Sequence, residues 1–195
     1  MKIAVVGAGA IGGYLGARLS RAGEEVTFIA RNRNLEAIRA NGFRLILEDG
    51  TQEHAPDVCA VQHPAEAGPQ DAVLLTVKAH QVIDLLPELR ALFGPDTVVV
   101  SMVNGIPWWY FHRLAGPHEG RPLESVDPGG VIARHIEPER VIGGVAYPAA
   151  ELVEPGLVRV IEGERFTLGE PDGRRTPRIE ALSQELAKAN IGYER

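Results

Sequence analysis

A Rossmann-type, doubly wound α/β fold is predicted for this chain from three observations. A β-branched run at residues 2–6 closes directly on the turn Gly7-Ala8-Gly9-Ala10-Ile11-Gly12. Ile11, Leu15 and Leu19 then recur at helical spacing. Farther on, Ala72-Val73-Leu74-Leu75-Thr76-Val77 and Val98-Val99-Val100 are almost unbroken apolar runs, as expected of strands buried on both faces of a parallel sheet. In chain order, Gly23 stops the first helix, and residues 25–30 form a second apolar run that completes a βαβ unit by Arg31. Residues 35–40 read as a short helix ending at Asn41-Gly42, and residues 43–47 as another strand. Strands at 71–77 and 97–103 flank a helix in 79–93, where Val82, Leu85, Leu86, Leu89 and Leu92 share one face and Pro87 requires a kink or a late start. From Ser125 to Gly169 the pattern changes to short strand-like pieces at 129–131, 141–147, 157–161 and 166–168. These predict an antiparallel extension of the mostly parallel sheet. Residues 178–189 return to helical spacing, and Ile191-Gly192-Tyr193 opens a further strand.

Composition sets the outer limits. The 195 residues include 22 Gly and 14 Pro, with 45% hydrophobic and 24% charged residues, a turn-rich globular profile that excludes a collagen, a coiled coil or an acidic tail. The net charge of -6 supplies no basic field for nucleic acid, so none is expected as a partner. Cys59 is the single cysteine and can build neither an intramolecular disulfide nor a cysteine metal cage. No apolar run reaches the roughly 18 residues a membrane span needs. A cytoplasmic protein without a membrane partner is expected. The apolar N-terminus lacks a basic n-region and runs straight into the glycine turn, so it reads as mature structure. No internal repeat marks a domain boundary.

The chemistry begins at the glycine turn. In the G-x-G-x-x-G pattern, Gly7 permits the tight turn, Gly9 lets a pyrophosphate approach the backbone, and Gly12 lets helix and strand pack closely. The free N–H groups and positive dipole end of the helix stabilise phosphate without a charged side chain. At the end of the second strand, where an NAD site places Asp or Glu, stand Arg31, Asn32 and Arg33. The pocket is expected to have no carboxylate to repel a 2′-phosphate and one or two cations to pair with it, which favours NADPH over NADH. Ligands in such sheets sit beyond the carboxyl ends of the strands, so Lys78 and Asn104, each directly after an apolar run, are candidates to face nicotinamide and substrate. The bland readings are a surface lysine and an Asn-Gly turn. The six histidines read as surface or capping residues, Asp127 and Glu124 as solvated carboxylates, and no metal-site or acyl-nucleophile motif is present.

The glycine turn with Gly13, the segment Thr76-Val77-Lys78-Ala79, Asn104-Gly105 and the 143–156 stretch occur in one order, and together they resemble the ketopantoate reductase (2-dehydropantoate 2-reductase) family over essentially the whole chain. The resemblance implies a Rossmann-type domain followed by a helical domain, and NADPH-dependent reduction of 2-dehydropantoate to pantoate in pantothenate biosynthesis. By position it implies that Gly7, Ala8, Gly9, Ala10, Ile11 and Gly12 hold the pyrophosphate and Arg31 the 2′-phosphate. Lys78 and Asn104 would lie near the nicotinamide and the keto acid, and Ala150 would give a backbone contact to the cofactor. The family's general-acid Lys, with its partner Asn, Ser and Glu, belongs to a helical domain expected after Arg195, which would also be the surface of any homodimer. Lys188 reads as a helix-surface residue. Trp108 and Trp109 depart from the usual more polar sequence and either wall an acyl pocket or pack in a core or interface. Two alternatives stay open: a reductase of another branched or aromatic 2-keto acid, and a non-catalytic NADPH-binding module.

Overall fold

The computed structural model describes residues 1–194; the helical domain expected after Arg195 lies outside the described residues. The elements in order are β1 (Lys2–Val6), α1 (Ala10–Arg21), β2 (Glu25–Ile29), α2 (Asn32–Asn41), β3 (Phe43–Ile46), β4 (Gln52–Ala55), β5 (Cys59–Val61), α3 (Pro64–Ala67) and β6 (Gln70–Leu75). There follow α4 (Val82–Leu89), β7 (Phe93–Ser101), α5 (Val131–His135), β8 (Val141–Ala146), β9 (Ala149–Glu154), β10 (Leu157–Glu162), β11 (Arg165–Gly169), α6 (Pro177–Lys188) and β12 (Gly192–Glu194).

The main sheet has eight strands in the order β12-β11-β8-β7-β6-β1-β2-β5. Every neighbouring pair is parallel except β8 with β11. After β1 the chain adds β2 on one side and, later, β6 on the other. This change of direction opens a crevice at the carboxyl ends of β1 and β6, the place where open α/β sheets bind ligands. One face of the sheet is covered by α1 and α6, with Phe28, Phe166 and Leu182 in that core. The other face is covered by α4 and α5, with Leu86, Ile132 and Val141.

A second sheet, β4-β3-β10-β9, packs over the outer side of α1. The strand expected at 43–47 therefore forms, but it leaves the main sheet and pairs in parallel with β10. Glycines make this layering possible. A Cβ on Gly16 would collide with Phe28 of the main sheet, and one on Gly13 with Phe43 of the small sheet. With bare backbone at both positions α1 fits between the two layers, and the Phe28 and Phe43 rings stack with centroids 5.0 Å apart.

The carboxyl-terminal third departs from the expected single extension. β8 runs parallel to β7, β11 alone is antiparallel within the main sheet, and β9 and β10 join the small sheet. The strand expected at 129–131 is instead a 3-10 turn, Pro128–Gly130, leading into α5. Gly129 and Gly130 have φ of 65° and 66°, which no strand accommodates. Asp127, expected to be solvated, is only 2% exposed. Its two carboxylate oxygens accept from the backbone N–H groups of Ile132 (2.7 Å) and Ala133 (3.0 Å), satisfying donors that a helix start leaves free. The expected late start does not take Pro87 out of the helix: α4 begins at Val82 with Pro87 inside it, and the carbonyl left without a helical partner is that of the exposed Ile83.

α6 is fastened to the sheet by a buried ion pair. Arg178 Nε donates to Glu170 Oε1 at 2.7 Å, and Arg178 Nη2 also reaches the Val141 carbonyl at 3.1 Å. Burial alone would push the Glu170 carboxyl up, but hydrogen bonds from Arg178 and Thr176 outweigh it and hold the pKa below the usual 4.5. A carboxyl lowered in the folded state contributes stability that is present above its unfolded pKa and lost as pH falls through the folded value. Urea melts should therefore show stability declining below about pH 4.5, with a shallower decline in Glu170→Gln. An identical slope in the two proteins would remove Glu170 from that account.

Candidate functional site

The glycine turn is held from behind by Thr76. Its backbone N–H donates to the Val6 carbonyl at 3.0 Å, and its hydroxyl lies 3.0 Å from the Val6 oxygen and 2.8 Å from the Gly7 oxygen. Gly7 adopts φ of 103°, the left-handed side of the map that a turn this tight requires. Gly9 precedes α1 with no side-chain cap, and the first turn of that helix carries no acidic residue. The N–H groups at this end are left for an anion. The remaining two glycines differ in kind. A Cβ on Gly9 would meet nothing within 4 Å, whereas one on Gly12 would collide with the Gly7 carbonyl and the Thr76 hydroxyl. Gly9 faces open space at the cleft, and Gly12 is a packing residue.

Two cavities meet at this turn and share Gly7, Gly9, Val77 and Gln81. The first, about 280 Å³, runs over the ends of β1 and β2 past Ala8, Ala30, Arg31 and Asn34, and is bounded by Asp84 and Leu152. The second, about 440 Å³, runs past Ala10, Ile11, Lys78 and Asn104 to Met102, Ala146 and Pro148. The first is a little small for a ligand site and the second within the usual range, and the pair forms a bipartite cleft with a helix N-terminus at its waist, the shape that two nucleosides joined by a pyrophosphate would fill.

Arg31 stands at the end of β2 as the residue preceding α2; it is exposed, its carbonyl accepts from the Leu35 N–H at 3.3 Å, and its side chain makes no ion pair or hydrogen bond among the described residues. Arg33, the second expected cation, lines neither cavity. Lys78 and Asn104 follow β6 and β7, are exposed, and line the same cavity. Lys78 is fixed through its backbone, whose N–H donates to Gln81 Oε1 at 3.1 Å.

Ala150 is not brought to the cleft. It sits on β9 opposite Val160 and packs against the core, while Ala146, Pro148 and Leu152 line the cavities instead. The expectation of a cavity free of carboxylates also changes, because α4 brings Asp84 to the wall that Arg31 shares. Trp108 is 6% exposed and belongs to the core on the α4 and α5 face, with Trp109 packed beside it against Gly143. The aromatic pair is core packing within this chain and walls neither cavity. Asn34, Gln81 and Asp84 were not singled out in the sequence. Their only local signal is helical spacing from Arg31 and Lys78, since Asn34 lies three residues beyond the first and Gln81 three beyond the second. Among the described residues no group of three His, Cys, Asp or Glu side chains converges as a metal site, and no helix is long and apolar enough to cross a membrane.

The family model of ketopantoate reductase PanE/ApbA matches residues 3–109. A 2-dehydropantoate 2-reductase of Mesorhizobium japonicum is 52% identical over 192 residues, covering 98% of this chain and 58% of that protein. One of Pyrococcus horikoshii is 34% identical over 195 residues, covering 100% of this chain and 56% of its own length. Among solved structures, a Ralstonia solanacearum protein classed as a ketopantoate reductase superposes with a TM-score of 0.92 at 41% identity, covering 99% of this chain and 59% of that one. The chain thus spans a little over half the length of the relatives it matches.

Proposed function

Because the chain belongs to the ketopantoate reductase family, we propose that it is the cofactor-binding portion of an enzyme that reduces 2-dehydropantoate to pantoate with NADPH. The observation that carries this reading is the bipartite cleft, which has the partner-free Arg31 side chain at the β2 end of one half and Lys78 with Asn104 at the β6 and β7 ends of the other. The residues present fit the cofactor. Gly9 leaves room for the pyrophosphate at the start of α1, and the planar guanidinium of Arg31 suits two oxygens of a 2′-phosphate.

When bound, the reduced nicotinamide supplies a hydride to the keto carbon. The ammonium of Lys78 and the carboxamide of Asn104 both carry donors, and from neighbouring strand ends they hold the carbonyl oxygen and oppose the charge developing on it. The proton itself comes, by the family resemblance, from a lysine beyond this chain. The packing of Trp108 in the core removes the motive for preferring an aromatic acid. A cytoplasmic location suits the exposed, unpaired Cys59.

A panel of 2-keto acids given to the whole protein, with NADPH oxidation followed by absorbance, tests the reading. The expected result is a kcat/KM for 2-dehydropantoate about tenfold or more above that of any other acid. Preference of that size for another acid would overturn the substrate assignment. Turnover of none would overturn the enzymatic reading in favour of a binding module.

A further inference from the structure

Asn34 lies in the first turn of α2, three residues beyond Arg31, and clasps two loops that belong to different sheets. Its Nδ2 donates to the Ala8 carbonyl at 2.6 Å, and its Oδ1 accepts from the backbone N–H of Gly156 at 2.8 Å. Only one orientation of the carboxamide satisfies both bonds, because the flipped amide would set oxygen against oxygen and N–H against N–H. Asn32 enters α2 with φ of 53°, a conformation asparagine tolerates better than most residues. The loop after β2 therefore delivers Arg31 and Asn34 to one wall of the first cavity.

We propose that Asn34 is a positioning residue for the dinucleotide, setting the plane of the Ala8–Gly9 peptide and tying it to the turn between β9 and β10. A trans peptide is planar, with its C=O and N–H pointing in opposite directions. Anchoring the Ala8 oxygen therefore fixes the direction of the Gly9 N–H, which has no protein partner among the described residues. This peptide has particular need of an anchor. Gly9 carries no Cβ to resist rotation, and a rotated peptide would turn a carbonyl toward the anion instead of an N–H. The other end of the clasp holds the strand pair whose Leu152 bounds the same cavity.

The inference rests on reading the glycine turn as the pyrophosphate site, so its test has one arm with nucleotide and one without. Asn34→Ala removes both bonds, while Asn34→Asp keeps an acceptor for Gly156 and loses the donor to Ala8. In fluorescence titrations both variants should lose affinity for NADH on the order of tenfold. Asn34→Ala should lose a similar factor for NADPH, leaving the ratio between the two nucleotides unchanged. In the nucleotide-free chain, hydrogen exchange at the Gly156 amide, which donates to Asn34 Oδ1, should be faster in Asn34→Ala than in the parent. Affinity kept within about twofold by a folded Asn34→Ala protein would overturn the proposal, even if its melting temperature fell. If the parent chain bound neither nucleotide, the cofactor reading would fail instead. Exchange at Gly156 would then decide the clasp alone, an unchanged rate overturning it.

Discussion

Arg31→Asp is expected to weaken NADPH binding by about 100-fold or more while changing NADH affinity only a few-fold. A charge-assisted hydrogen bond to phosphate contributes about 1.5–3 kcal/mol, and the substitution also sets a carboxylate against the phosphate dianion. Loss of one such bond with added repulsion reaches the roughly 2.7 kcal/mol that a 100-fold change represents. The Arg31 side chain is exposed and partner-free among the described residues, so the change leaves no buried group unsatisfied and should barely alter the melting temperature of the free protein. Titration with both nucleotides, followed by thermal shift, reads the effect directly, because a ligand at about 100 times its dissociation constant adds roughly 2.7 kcal/mol of stability. Equal loss for NADPH and NADH would mean that Arg31 serves the turn and not the 2′-phosphate. No loss for either would place the phosphate elsewhere.

Gly12→Ala and Gly9→Ala should fail in opposite ways. A Cβ on Gly12 would stand 2.1 Å from the Gly7 carbonyl oxygen and 2.4 Å from Thr76 Oγ1. Those two atoms are hydrogen-bonded to each other, so neither can move aside without breaking the support of the turn. Overpacking of this kind costs about 3 kcal/mol, roughly 6–12 °C in melting temperature for a domain of this size. Gly9 has φ of -82°, which any residue adopts, and a Cβ there enters open space. Gly9→Ala should fold with a melting temperature within a few degrees of the parent, yet lose nucleotide affinity, because the new methyl occupies the approach of the pyrophosphate. Should Gly9→Ala bind both nucleotides as the parent does, the phosphate would not pass over that residue. A Gly12→Ala protein of unchanged stability would show that the turn is softer than its hydrogen bonds imply.

These contrasts bear on what could be read before folding. The strand-turn-helix unit was legible because its signals are local: a β-branched run, glycines at set intervals, and a four-residue apolar repeat all act within about twenty residues. Arg31, Lys78 and Asn104 were legible for a related reason. Each directly follows a run apolar enough to be a buried strand, and strand ends in a parallel sheet share one edge. Residues 129–131 misled because Gly-Gly-Val resembles a strand fragment until the backbone angles are known, and the two left-handed glycines turn the chain into α5 instead. Asp127 misled because a carboxylate in a polar stretch is usually solvated, and nothing local announces the two helix N–H groups that it accepts.

By itself the sequence determined a Rossmann-type unit, its glycine turn, and the cation at the end of its second strand, since period and residue type act over short distances along the chain. Only the tertiary structure decided that β3 and β10 build a second sheet over α1, that Asp84 faces the Arg31 cavity, that Ala150 stays on the core while Ala146, Pro148 and Leu152 reach the cleft, and that Asn34 joins Ala8 to Gly156. Each of these depends on segments far apart in the chain being brought together by burial. Burial selects which faces meet through apolar area summed over whole elements, and no single residue's neighbours in sequence carry that sum.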